Sequence, residues 1–155
     1  MEGVWLKDLR ERIAMLNEDL KKSIVKRLNE YPLMHTLRLE IISLSEGTCE
    51  TKAPRNENFN GIFDSFHGGL LLTIADTSAC VAIFTKTGPG VRLATTDMNI
   101  RFLAPCLSDI VAKAKVIKFG KTMCPVSIDL YDVENRHIAI AQVNYMILRK
   151  EETSP

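Results

Sequence analysis

Residues Gly68-Gly69-Leu70-Leu71-Leu72-Thr73-Ile74-Ala75-Asp76-Thr77-Ser78-Ala79-Cys80-Val81-Ala82-Ile83-Phe84-Thr85 decide the fold. The run opens on a glycine pair, stops before the breaker Gly88-Pro89-Gly90, and predicts a helix. Its apolar residues lie nearly all round, so such a helix must be buried on most sides, and the rest of the chain must wall it in. Downstream, alternating runs at Leu93 to Leu103, Ile110 to Phe119 and Thr122 to Asp132 read as strands. The turn Glu134-Asn135-Arg136 leads into a last strand from His137 to Arg149. Upstream, Pro54 to Phe66 is rich in Asn, Asp and Gly and reads as an irregular loop. Before it, Leu37, Leu39 and Ile41 alternate, and Thr48 to Ala53 follows Glu46-Gly47, which predicts a hairpin. At the start, Leu6, Leu9, Ile13, Leu16, Leu20, Ile24 and Leu28 recur at steps of three and four, an amphipathic helix that stops near Tyr31-Pro32. The fold class is therefore α+β, an antiparallel sheet of about six strands wrapped on one central helix. The short connections predict that successive strands pair.

A chain of 155 residues, 46% hydrophobic and 25% charged, suits a single globular domain. Twenty Lys and Arg against nineteen Asp and Glu leave a net charge of +1, so no global field favours nucleic acid. The longest uninterrupted apolar run, Ala79 to Phe84, is far below the roughly eighteen residues a membrane span needs. Met1 to Asp8 lacks the basic and apolar regions of a secretory signal, and a cytoplasmic location is the expectation. Cys49, Cys80, Cys106 and Cys124 lie far apart without a C-x-x-C, which predicts reduced, mostly buried thiols and no metal cluster.

Asp76 is the anomaly. A carboxylate among Leu72, Thr73, Ala79 and Cys80 is costly to ionise and its pKa should rise, as in a general base or nucleophile. Thr73 and Thr77 are its candidate local partners. The second feature is His67-Gly68-Gly69 at the helix start, where bare N–H groups could form an oxyanion hole. Gly68 and Asp76 are eight residues apart, so on one helix their backbones stand about 12 Å apart and no single carbonyl reaches both. Two antiparallel copies of the helix across a two-fold axis would set one chain's Gly68 near the other's Asp76.

His67 to Thr77, Thr95-Thr96-Asp97-Met98-Asn99-Ile100-Arg101-Phe102-Leu103-Ala104-Pro105 and Gly120-Lys121-Thr122 together resemble the hot-dog-fold acyl-CoA thioesterases, in the branch of the phenylacetate-pathway thioesterases. The similarity covers residues 35 to 149. It implies a hot-dog fold in 33–150, preceded by a helical extension in 1–32 and followed by a polar tail in 151–155. It also implies homodimers joined through a continuous sheet, often paired into homotetramers, with an acyl-CoA substrate and no cofactor or metal.

Residue by residue, Asp76 matches the catalytic carboxylate and Gly68 the residue whose N–H polarises the thioester carbonyl. Thr95 matches a hydroxyl that orients water. His67 matches the histidine that shapes the loop or hydrogen-bonds near the thioester sulfur, and Gly69 follows in the same motif. The family pattern N-x-x-G-x-x-H-G-G is broken, because Gly61 and Asp64 stand where Asn and Gly are common. Asn60, displaced by one, is the nearest amide, with Asn58 a second. For the phosphates of coenzyme A the candidate cations are Arg92, Arg101, Lys118 and Lys121, with Lys113 and Lys115 behind them. Met98 and Phe102 share strand parity, as Leu70 and Ile74 share a helix face, and they read as core filling first and an acyl tunnel second. The expectation is a thioesterase for medium-chain or aryl acyl-CoA. The alternatives are a non-catalytic acyl-CoA-binding module of the same fold and, further off, a hot-dog dehydratase.

Overall fold

The computed structural model describes residues 16–148. Helix α1 spans Glu18–Asn29, with the Asn17 side chain accepting from the Asp19 N–H and Glu18 and Asp19 in the positively polarised first turn. It buries Ile24 and Leu28. Leu6, Leu9 and Ile13, the first predicted anchors of this helix, and the tail 151–155 lie outside the described residues.

Proline starts a second helix here as well as ending the first. Helix α2 spans Pro32–Leu37 with Pro at its first turn, where the missing N–H costs nothing, and it buries Met34 and Leu37. Leu37, expected to open the first strand, is thus the last residue of α2; Arg38 at φ 49° then turns the chain. The apolar alternation at Leu37 and Leu39 is spread over a helix end and a turn, which periodicity alone cannot separate.

Strands β1 (Glu40–Ser45) and β2 (Thr48–Ala53) form the expected hairpin about Glu46-Gly47. The following loop contains only a single 3₁₀ turn at Glu57–Phe59. Helix α3 spans Gly68–Thr87, and β3 (Arg92–Phe102), β4 (Ile110–Val116), β5 (Met123–Asp132) and β6 (His137–Leu148) complete one six-stranded antiparallel sheet. The strand order is β1-β2-β4-β5-β6-β3. By length and composition α3 could cross a membrane, yet here it touches all six strands and buries ten of its side chains, so its apolarity serves the core. This is the hot-dog arrangement.

Among the strands that follow α3, successive pairing fails at one place. Strand β3 does not pair with β4; it lies at the sheet edge against β6 alone. The chain leaves β3 through Leu103 and Ala104, whose N–H groups both bond to Ile138 O, and then passes β6 and β5 to enter the sheet as β4, between β5 and β2. The register of β3 on β6 shifts between Thr95 and Asp97. That bulge carries the side chain of Thr95 onto the helix-facing side together with Met98, Ile100 and Phe102, opposite Tyr145, Val143, Ala141 and Ala139.

The sheet is tied to the helix by a buried hydroxyl pair. Ser78 Oγ donates to Ile74 O at 2.7 Å, which leaves its lone pair to accept the Thr51 hydroxyl at 2.7 Å. Both residues are fully buried. All four cysteines are free.

Candidate active site

Asp76 sits midway along α3, half-buried at the margin of the core instead of enclosed by it. The flanking threonines do not serve it: Thr73 donates to Gly69 O and Thr77 to Thr73 O, each back-bonding within the helix. The sheet supplies the partners. Thr95 Oγ1 donates to Asp76 Oδ1 at 3.0 Å, and the Tyr145 hydroxyl meets the same oxygen at 2.7 Å, with Asp76 O 3.0 Å away. Thr95 and Tyr145 are a cross-strand pair, so the bulge in β3 is what sets both hydroxyls against one carboxylate. Burial, with Cys80 and Asp76 adjoining, holds the Tyr145 phenol well above its ordinary pKa, so it stays a proton donor.

Two donors on Oδ1 orient the carboxylate and leave Oδ2 without a partner among the described residues. Oδ2 is the atom that can take a proton from water or attack a carbon. Tyr145 escaped the sequence reading. Its signal was a phenol at an inward position of β6, where the O–H must find an acceptor; which acceptor depends on the register.

At the helix start, His67 is the N-cap, its Nδ1 accepting the Gly69 N–H at 3.0 Å, while its own N–H goes to Phe59 O. With Nδ1 accepting, Nε2 is the ring nitrogen left to donate, and the residue is exposed. Of the two glycine amides, His67 thus occupies that of Gly69, and the Gly68 N–H has no acceptor among the described residues. Gly68 also lets Phe102 lie against the helix start: a Cβ there would stand 2.8 Å from Phe102 Cζ. The rise of α3 keeps Gly68 and Asp76 about 12 Å apart, so one chain does not bring them together.

The remaining candidates scatter. Asn60 is half-buried, bridged to Phe66 through its backbone, and its side-chain Oδ1 is buried without a partner. Arg92 and Arg101 are exposed and, by register, on the sheet face turned away from α3; Arg101 bonds to Ile100 O. Lys118 and Lys121 are exposed in the β4–β5 loop, the loop whose Phe119 lies under Lys86 near the end of α3. Lys113 reaches toward Glu50 at 3.8 Å, and Lys115 is exposed on β4. Ile74 is core and Leu70 half-buried, but Met98 and Phe102 are 44% and 53% exposed, so on this chain alone they do not fill a core. Their strand is an edge, and among the described residues no further strand lies beyond it.

A cavity of about 200 Å³ opens beside Asp76 and Tyr145 and runs between α3 and the two N-terminal helices. Cys80 lines it; burial, reinforced by Asp76, pushes its thiol up to about 12, so the sulfur is neutral.

A helix sheathed by an antiparallel sheet, with an oriented carboxylate at its middle and a free amide at its start, defines a hot-dog enzyme. The family model of the thioesterase superfamily matches residues 63–139. Acyl-coenzyme A thioesterase 13 of Homo sapiens is 37% identical over 99 residues, covering 60% of this chain and 67% of that protein. The 1,4-dihydroxy-2-naphthoyl-CoA hydrolase of Listeria monocytogenes is 22% identical over 121 residues, covering 77% and 98%. Among solved structures, the E. coli PaaI protein from the phenylacetic acid degradation operon superposes with a TM-score of 0.79 at 20% identity, over 86% of this chain and 96% of that one. The chain belongs to the thioesterase superfamily and is a thioester hydrolase.

Proposed function

We propose that this protein hydrolyses acyl-CoA thioesters at a site built from two protomers. The observation that carries the reading is the Asp76 carboxylate, pinned through Oδ1 by Thr95 and Tyr145 with Oδ2 left open beside an apolar cavity. Two similar proteins named as CoA-thioester hydrolases support the choice of substrate. In this mechanism Asp76 Oδ2 acts as base to water or as nucleophile on the thioester carbon. The Gly68 N–H of a second protomer receives the developing oxyanion, and the CoA thiolate departs. On the base route the proton that Asp76 took from water passes to the thiolate, and on the nucleophilic route water hydrolyses the acyl–Asp76 anhydride to free acid and carboxylate.

The shared site is supported by the helix length that separates Gly68 from Asp76 and by β3, an edge strand whose outer backbone groups can pair with another β3. It is also supported by exposed apolar groups: Phe102, which lies against Gly68, and Ile62 and Phe63 in the loop before α3, which are 93% and 90% exposed. Dimers of this kind could pair again into tetramers, and arginines and lysines of either protomer would meet the CoA phosphates.

The test is thiol release from a broad acyl-CoA panel by wild type and Asp76→Asn. Loss of the base should cut kcat by about 10²- to 10⁴-fold, with binding of the substrate, read by calorimetry, retained. Wild type that binds acyl-CoA but releases no thiol from any member of the panel would instead be a binding module.

A further inference from the structure

We propose that the cavity beside Asp76 is the acyl pocket and that its outer wall, made by the segment before the sheet, limits the acyl group to one aromatic ring or a chain of similar bulk. This rests on the acyl-CoA reading above. Asp76, Cys80 and Phe84 follow at steps of four along α3, so they form one stripe that begins at the carboxylate and turns apolar over about 12 Å. A thioester whose carbonyl meets Asp76 has its acyl group directed along that stripe. The opposite wall comes from Leu28 at the end of α1, Tyr31 between the helices, and Leu33 and Met34 in the first turn of α2.

Leu28 and Met34 are 5% exposed and Phe84 is 8% exposed, so these side chains are held by the core and form a fixed boundary. Tyr31 and Leu33, at 43% and 44%, are freer and stand as the adjustable part of the wall. The cavity holds about 200 Å³, and an engineered apolar cavity of about 150 Å³ takes up one benzene. A ring with one or two further carbons fits; a sixteen-carbon chain does not. The Pro32 start of α2, which ends one helix and begins the next, is the sequence feature that folds this wall over the carboxylate.

The experiment measures kcat/KM for acetyl-, hexanoyl-, benzoyl- and palmitoyl-CoA with the full chain, by thiol release. Wild type should prefer hexanoyl and benzoyl over palmitoyl by at least tenfold. Cys80→Phe, which fills the stripe midway, should lower the benzoyl-to-acetyl ratio by at least tenfold. Leu33→Ala, at a half-exposed position, should raise the palmitoyl-to-hexanoyl ratio. Ratios taken within one variant cancel any loss of folded protein. Wild type that prefers palmitoyl, or profiles of both variants that overlay the wild type, would overturn the pocket assignment while the hydrolase reading stands. No turnover of any of the four substrates would overturn the acyl-CoA reading and the pocket with it.

Discussion

A carboxylate on an apolar helix declares itself, because its placement is costly unless something uses or satisfies it. Asp76 was legible for that reason, and so was the glycine pair that leaves an amide bare at the helix start. Tyr145 was not, although it makes the shorter of the two side-chain contacts on Asp76, at 2.7 Å. Tyr145→Phe removes one proton donor and leaves the ring in place. A hydrogen bond to a charged group contributes about 1.5–3 kcal/mol, and 1.4 kcal/mol is about tenfold in rate. The expected result is a kcat lowered about 10- to 100-fold with KM little changed, measured by steady-state thiol release. A phenol that merely plugged the core would alter melting temperature and leave kcat alone.

Elements show where local signals suffice and where they fail. Strand β2, the loop after it and helix α3 all follow from periodicity and turn residues close to their observed bounds, whereas β1 begins at Glu40, three residues after the expected start at Leu37. Helix α2 did not, since six residues offer too short a window for the apolar spacing to distinguish helix from strand. Strand β3 was located but not placed, because pairing with β6 joins segments some fifty residues apart. The joint between sheet and helix gives a stability test. Ser78→Ala leaves the buried Thr51 hydroxyl without its partner and should cost about 1–3 kcal/mol. Adding Thr51→Val should recover much of that loss, as read from urea midpoints in a double-mutant cycle.

The β5–β6 turn supplies the pH-dependent term. Asp132 Oδ1 accepts the N–H groups of Arg136 at 2.8 Å and Glu134 at 3.0 Å, and the Arg136 guanidinium lies 3.1 Å from Oδ2. The Arg136 N–H first, then that of Glu134 and the Arg136 charge, hold this carboxyl below its ordinary 3.8. A folded pKa lower than the unfolded one gives stability that is complete above the unfolded value and lost as pH falls through the folded one. Melting temperature should therefore decline on acidification below about pH 4. Asp132→Asn should melt lower at neutral pH and show a shallower acid decline, by scanning calorimetry.

At the scale of the whole molecule the question is how many chains make one site. Gly68 occupies the first helical position, where proline is tolerated and removes the N–H. The added Cβ would meet only the far end of Phe102, an exposed side chain. Gly68→Pro and Asp76→Asn should each be nearly inactive alone. Mixed after co-refolding or co-expression, a shared site places both intact groups in one of the two centres of each heterodimer. Random assortment then restores about a quarter of wild-type turnover. A site confined to one chain gives no recovery, since every centre in the mixture carries one defect.

What the chain itself determined was the inventory: an apolar helix requiring walls, alternating segments to provide them, and a carboxylate and a bare amide set eight residues apart on that helix. These are properties of short stretches, carried by periodicity, turn chemistry and the cost of burying charge. Tertiary structure alone decided that β3 lies beside β6 at the edge and that a bulge turns Thr95 inward to meet Tyr145 on Asp76. It alone set a cavity between Asp76 and the N-terminal helices. Each of those is a pairing between distant segments, settled by which surfaces fit and which hydroxyls find acceptors, and no local window contains that information.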